Sequence, residues 1–201
     1  MTRNRTTVIG IVGGVGSGKS AVAAELAGLL DAVLIDGDRV GHETLQDRDV
    51  AAAVRDAFPP AAGDDGSIDR HALGRIVFAD PAAMDRLEAI LHPRMRRRFE
   101  SLMTAAKAAG RPTVFDAAVL LESGWDDLCD AIVFVDVPET ERRRRAVGRG
   151  WTEDRWRNAE ASQWPLDRKR AAAHAVVANI TTPAEAAAAA CPVLNVTAAE
   201  D

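Results

Sequence analysis

The sequence predicts an α/β fold in which a parallel five-stranded sheet carries helices on its faces. Three observations predict it. Short β-branched apolar runs alternate with longer helical stretches, a glycine cluster follows the first run directly, and acidic residues stand where the next two runs end.

Residues 7–12 (TVIGIV) form the first strand, the cluster 13–18 turns the chain, and 19–30 repeats apolar residues at helical spacing. Residues 32–35 give a second strand ending in Asp36-Gly37-Asp38, and 113–115 a third ending in Asp116. Residues 131–137 (AIVFVDV) are nearly all apolar, as a central strand covered on both faces requires, and 175–177 is the fifth strand. Between the second and third strands a helical section, about 47–109, is interrupted at Pro59-Pro60 and at 63–66. It reads as an insertion without a second core. After the fourth strand, 138–147 and 152–163 are charged helical stretches around Gly148-Arg149-Gly150, and with 165–173 they make a mobile lid of about 140–173. Residues 183–190 form a C-terminal helix, and 197–201 are expected to fray.

A chain of 201 residues fits one domain with an insertion and a lid. AVILMFWYC residues make up 47% and charged residues 27%, which disfavours disorder, collagen and coiled coil. The net charge of −5 gives no positive field for nucleic acid or an anionic membrane, so any anion must be held locally. No apolar stretch approaches the ~20 residues of a membrane helix, and the basic start is not followed by a signal-peptide core. Cys129 and Cys191 lack metal-ligand or C-x-x-C spacing and read as incidental reduced thiols, which predicts a cytoplasmic setting. A monomer or weak homo-oligomer is expected.

Gly13-Gly14-Val15-Gly16-Ser17-Gly18-Lys19-Ser20 satisfies G-x-x-x-x-G-K-[ST] between a predicted strand and a predicted helix. Backbone N–H groups must wrap a phosphate closely there, and glycines allow both the approach and the dihedrals. This places the fold in the P-loop nucleoside triphosphate hydrolase type. Gly14, Val15, Gly16, Ser17, Gly18, Lys19, Ser20 and Ala21 are the candidate nucleotide-binding residues, with Lys19 on the β/γ-phosphates and the Ser20 hydroxyl on Mg²⁺. ATP with Mg²⁺ is the expected pairing. There is no N-K-x-D base-reading motif, so a small-molecule kinase fits better than a regulatory GTPase.

The acids after the strands lie at the carboxyl-end crevice of an open α/β sheet. Either Asp36 or Asp38 is a candidate general base for an attacking hydroxyl, or a cap of the next helix. Asp116 is a candidate magnesium residue or a turn cap.

GGVGSGKS at 13–20, IDGD at 35–38, DGSIDRHALGRIVFADPAAMDRLEAILHP at 65–93 and LLESG at 120–124 together resemble the dephospho-coenzyme A kinase family, over most of the chain and in the right order. The resemblance implies transfer of the ATP γ-phosphoryl to the ribose 3′-hydroxyl of dephospho-CoA. It implies that Asp38, the second acid of the family's D-A-D motif, is the base, with Asp36, His92, Asp116, Leu120 and Glu122 on the substrate side. Asn179 matches the asparagine of the family's A-D-x-x-I-x-N-x-G pattern, near the adenine side. The chain departs from the family at Gly37 for alanine, at Ala118 for proline, at His174 for an acid and at Thr181 for glycine.

The arginine runs at 94–98 and 142–145 lie on predicted helices, where a charge run reads first as a solvated face. Phosphoryl transfer nevertheless needs cations near the γ-phosphate. Arg145 and Arg149 flank the lid turn, with Arg149 the candidate catalytic arginine and Arg145 a nucleotide-binding one. His92 precedes Pro93 within a helical stretch, where a kink is expected, and is either a partly buried structural histidine or a substrate-side residue. Trp151, Trp156 and Trp164 suit packing within the lid.

Overall fold

The computed structural model describes residues 7–63 and 67–194, so the fraying expected at 197–201 falls outside the described residues. The strands are β1 (Val8–Gly13), β2 (Val33–Asp36), β3 (Thr113–Asp116), β4 (Ala131–Asp136) and β5 (Ala175–Ala178). They form one parallel sheet in the order β2-β3-β1-β4-β5. The five-stranded parallel sheet expected from the sequence is therefore present. The helices are α1 (Lys19–Leu29), α2 (Gly37–Thr44), α3 (Arg48–Ala57), α4 (Arg70–Ala79), α5 (Pro81–Ala108), α6 (Glu139–Gly148), α7 (Glu153–Ala161), α8 (Leu166–Ala171) and α9 (Pro183–Val193).

Residues up to Asp36 and from Leu102 onward make one compact unit, and Gly37–Ser101 makes a second. In the first, Ile9 and Ile11 of β1, Val114 of β3 and Val133 and Val135 of β4 pack with Val22 and Leu26 of α1 and with the small face of α9. On β1, a Cβ at Gly10 would meet Cys129 Sγ at 2.9 Å and Leu120 Cδ1 at 3.1 Å, so the segment after β3 packs directly on the strand. Burial, and then the nearby acids led by Asp126, push the Cys129 thiol up to about 12, which keeps it protonated. The end of α1 is a left-handed cap at Asp31 (φ 44°), closed by Ala32 N–H to Ala27 O and clipped by Arg111 to the Asp31 carboxylate at 2.9 Å.

The second unit has a hydrophobic core of its own, contrary to the sequence expectation. The pairs Val50/Val54, Leu73/Val77 and Ala83/Leu87 each stand four residues apart, so α3, α4 and α5 each present an apolar stripe, and Phe58 joins them. Its bounds, Gly37–Ser101, differ from the 47–109 expected for the insertion, because α2 belongs to it and the end of α5, from Leu102, belongs to the first unit. The helix α5 runs through Pro93 with no break in its span, leaving the Ala89 carbonyl without its usual donor.

Candidate nucleotide site and its supports

β1 ends at Gly13, and the chain passes through Gly16 (φ 86°) and Gly18 (φ 80°) into α1. Gly18 caps α1 with no side-chain hydrogen bond, and the first turn carries no acid. The Lys19 and Ser20 N–H groups therefore open α1 uncapped, with the positive end of the helix dipole behind them. Lys19 is half-buried and Ser20 exposed.

The glycines answer to protein neighbours as well as to a ligand. A Cβ at Gly16 would strike the Arg142 carbonyl, one at Gly14 would meet Arg142 Nη1 at 2.6 Å, and one at Gly18 would meet Asn179 Nδ2 at 2.7 Å. Asn179, 2% exposed, donates from Nδ2 to Ser17 O at 2.8 Å. Arg145 donates to Ser17 O at 3.3 Å and to Asn179 O at 2.8 Å, with its Nε on Glu141 at 2.7 Å. Hydrogen bonds from Arg144, then from Arg145, hold the Glu141 carboxyl well down, to about 2. The Ser17 hydroxyl is buried without a partner among the described residues.

At Val15 both backbone groups are occupied. Its N–H donates to Glu160 Oε2 at 3.0 Å, and its carbonyl accepts from Trp156 Nε1 at 3.2 Å and Arg142 Nη1 at 3.4 Å. Val15 N–H is thus not presented to a phosphate in this arrangement. Ala21 N–H likewise turns back to Gly18 O at 3.0 Å.

The acids Asp36 and Asp116 end neighbouring strands and are Cα partners in the β2/β3 ladder, while Asp116 also pairs with Ile11 of β1. Two carboxylates thus stand side by side at the strand ends, next to the strand that feeds the phosphate loop. Mg²⁺ keeps several waters and takes only one or two protein carboxylates beside substrate phosphates. Ser20, Asp116 and Asp36 fit that donor set, and among the described residues no cluster of three or more His, Cys, Asp or Glu offers a fuller one. Asp38 does not continue the strand. It lies exposed in the first turn of α2, because Gly37 begins that helix at no positive φ. His92 sits on α5, half-buried, and burial lowers its pKa against the opposing pull of Glu88.

Other expected site residues take supporting places. Leu120 has no exposed surface and packs on β1, so it is a core residue rather than a ligand contact. The Glu122 carboxylate is tied at 2.8 Å to both Lys169 Nζ and Trp164 N–H, which anchors the segment before α8. Arg149 is exposed at the end of α6, where Gly150 (φ 83°) and the Trp151 N–H to Ala146 O bond close a left-handed turn. At the departure from the family pattern, His174 Nδ1 accepts the Ile132 N–H at 3.1 Å near the start of β4, the opposite end of the strands from the loop.

Arg142, Trp156, Glu160 and Lys169 escaped the sequence reading as site residues. Trp156 and Glu160 are one turn apart on α7, and Arg142 stands four before the buried Ala146 on α6. Helical spacing was the available signal.

The family model described as dephospho-CoA kinase matches residues 7–185. The chain belongs to that family. It is 40% identical over 173 residues to a dephospho-CoA kinase of Frankia casuarinae, covering 85% of this chain and 75% of that protein. To the dephospho-CoA kinase of Thermobifida fusca it is 38% identical over 183 residues, covering 88% and 89%. Among solved structures it is similar to TT1252 from Thermus thermophilus, with a TM-score of 0.82 at 31% identity over 94% of this chain and 98% of that one. Membership makes it a phosphotransferase of the P-loop class, acting on a nucleotide, and no helix among the described residues is long and apolar enough to cross a membrane.

Proposed function

We propose that this protein transfers the γ-phosphoryl group of ATP to the ribose 3′-hydroxyl of dephospho-CoA, giving coenzyme A and ADP. The observation that carries the reading is a phosphate loop built by Gly16 and Gly18 in left-handed conformation, opening an uncapped helix, within a family match over residues 7–185. The N–H groups of Gly16, Gly18, Lys19 and Ser20 take the phosphates, while that of Ser17 turns back to Gly14 O at 3.1 Å, and Lys19 neutralises charge on the β/γ-phosphates. Arg145 and Asn179 support the loop through Ser17 O, and their part in nucleotide binding is to hold it in that shape. Ser20 and Asp116, with Asp36 beside Asp116, hold Mg²⁺, which supplies charge neutralisation across the transferring phosphates. Asp38 takes the proton of the 3′-hydroxyl. Arg149, exposed at the turn that ends α6 and outside the ties that hold Arg142 and Arg145 among the described residues, is the lid arginine, within about 140–173, whose side chain turns onto the transferring group. His92 serves on the substrate side within the helical insertion, and its lowered pKa favours the neutral ring. The setting is cytoplasmic, the state a monomer or weak homo-oligomer, and nucleic acid is not a partner.

Coupled ADP release tests the reading with dephospho-CoA, with nucleoside monophosphates and with neither. Release that depends on dephospho-CoA supports it. Turnover with a nucleoside monophosphate and none with dephospho-CoA would assign another small-molecule kinase, and no turnover with any acceptor would leave a nucleotide-binding protein.

A further inference from the structure

Val15 stands at the tip of the phosphate loop, yet the side chains that satisfy its backbone come from far along the chain. Glu160 bridges two donors, with Oε2 on Val15 N–H at 3.0 Å and Oε1 on Arg142 Nη1 at 2.5 Å. Arg142, its side chain 4% exposed, spends Nε on Val137 O at 3.2 Å and Nη1 on Glu160 and Val15 O. Trp156 donates its indole N–H to Val15 O at 3.2 Å and lays its ring 5.6 Å from the Arg142 guanidinium carbon. The main chain of α6 meanwhile presses on Gly16 through the Arg142 carbonyl.

A buried ion pair is weak evidence for stability, because desolvation offsets much of its attraction. This one closes on the loop that must present amides to phosphate. We infer that Glu160, acting through Arg142 and together with Trp156, is a positioning residue that holds Val15 and so keeps the phosphate loop in its binding conformation before nucleotide arrives. The inference rests on the reading that the loop takes ATP. Loss of the clamp lowers the fraction of loops that are competent, and apparent nucleotide affinity falls in proportion. The second substrate, which does not use these amides, is little affected.

The test compares the parent with Glu160→Ala, Glu160→Gln and Trp156→Phe, titrating ADP by calorimetry and measuring KM for ATP and dephospho-CoA, kcat and Tm. Glu160→Ala weakens ADP binding about tenfold and raises KM for ATP to match, while KM for dephospho-CoA stays within about twofold. In Glu160→Gln the amide oxygen still accepts the Val15 N–H, so part of the loss is recovered, to about threefold. Trp156→Phe keeps an aromatic ring, though a smaller one, beside Arg142 and removes the donor to Val15 O, and falls in the same intermediate range. These two variants keep the test open if the alanine variant does not fold. Unchanged ADP affinity in Glu160→Gln and Trp156→Phe, or in Glu160→Ala with only Tm lowered, would overturn the inference. Tighter ADP binding in Glu160→Ala would overturn it too, since the carboxylate would then be competing with nucleotide, and so would equal losses for both substrates. A parent that turns over dephospho-CoA while the variants behave in any of these ways defeats the inference alone. A parent that binds no ADP defeats the functional reading with it.

Discussion

The two arginine runs look alike in the sequence and are used in opposite ways. In the insertion, Arg94 pairs with Asp49, Arg96 with Glu100 at 3.0 Å and Arg98 with Asp47 at 2.7 Å, and each of these arginines keeps a third or more of its side chain exposed. On α6, Arg143 and Arg144 also make exposed pairs, with Glu153 and Glu141, but Arg142 and Arg145 turn inward and donate to backbone carbonyls of the phosphate loop. The difference lies in what is being held. A surface ion pair is worth about 0–1 kcal/mol and leaves the fold much as it was, whereas a guanidinium that satisfies loop carbonyls fixes the shape of a binding site.

The largest expected effect is at the loop's own charge. Lys19→Ala should lower turnover by about 10²–10³-fold with the fold intact, read from kcat and far-ultraviolet circular dichroism, because charge on the transferring phosphates loses its fixed partner. A variant that turns over like the parent would remove the loop from the site. Gly16→Ala comes next. The left-handed backbone and the Arg142 carbonyl both oppose a Cβ, so about 2 kcal/mol or more of stability should be lost in urea unfolding, together with ATP affinity. Gly28→Ala in α1 is its control, since nothing lies within 4 Å of the added Cβ, and there stability should rise by about 0.5–1 kcal/mol. If both glycines behaved alike, the loop would not be held as described. In the insertion the corresponding weight rests on apolar packing, so Val54→Ala, at a fully buried position, should cost about 2 kcal/mol in the same experiment. Arg96→Ala should move stability by no more than about 0.5 kcal/mol, and a loss as large as that of Val54→Ala would erase the contrast between the runs.

What could be read in advance followed the range over which each signal acts. The cradle is a contiguous motif whose glycines, lysine and serine each have a local reason, and β4 announces itself by an unbroken apolar run. Asp36 and Asp116 were placed at strand ends correctly because strands end where apolar runs stop. The division between Asp36 and Asp38 needed the fact that α2 starts at Gly37, which no spacing rule supplies. The bonds from Asn179 to Ser17 and from Glu160 to Val15 join residues 162 and 145 positions apart, so no window of sequence contains them. Leu120 and Glu122 carried the family pattern faithfully, yet their places are a strand-packing core and an anchor to Lys169, roles that a motif does not distinguish from substrate contact.

The claim most exposed to test is that two acids only two residues apart do different work. Asp36 closes β2 beside Asp116, and Asp38 lies in the first turn of α2. Single-turnover phosphoryl transfer, at saturating ATP and dephospho-CoA, measures each acid directly. Asp38→Asn should transfer about 10²–10⁴-fold more slowly while still binding ATP, since the amide keeps the shape but takes no proton. Asp36→Asn should be much milder and show its effect in the magnesium dependence. A nearly dead Asp36→Asn beside an unimpaired Asp38→Asn would contradict the account.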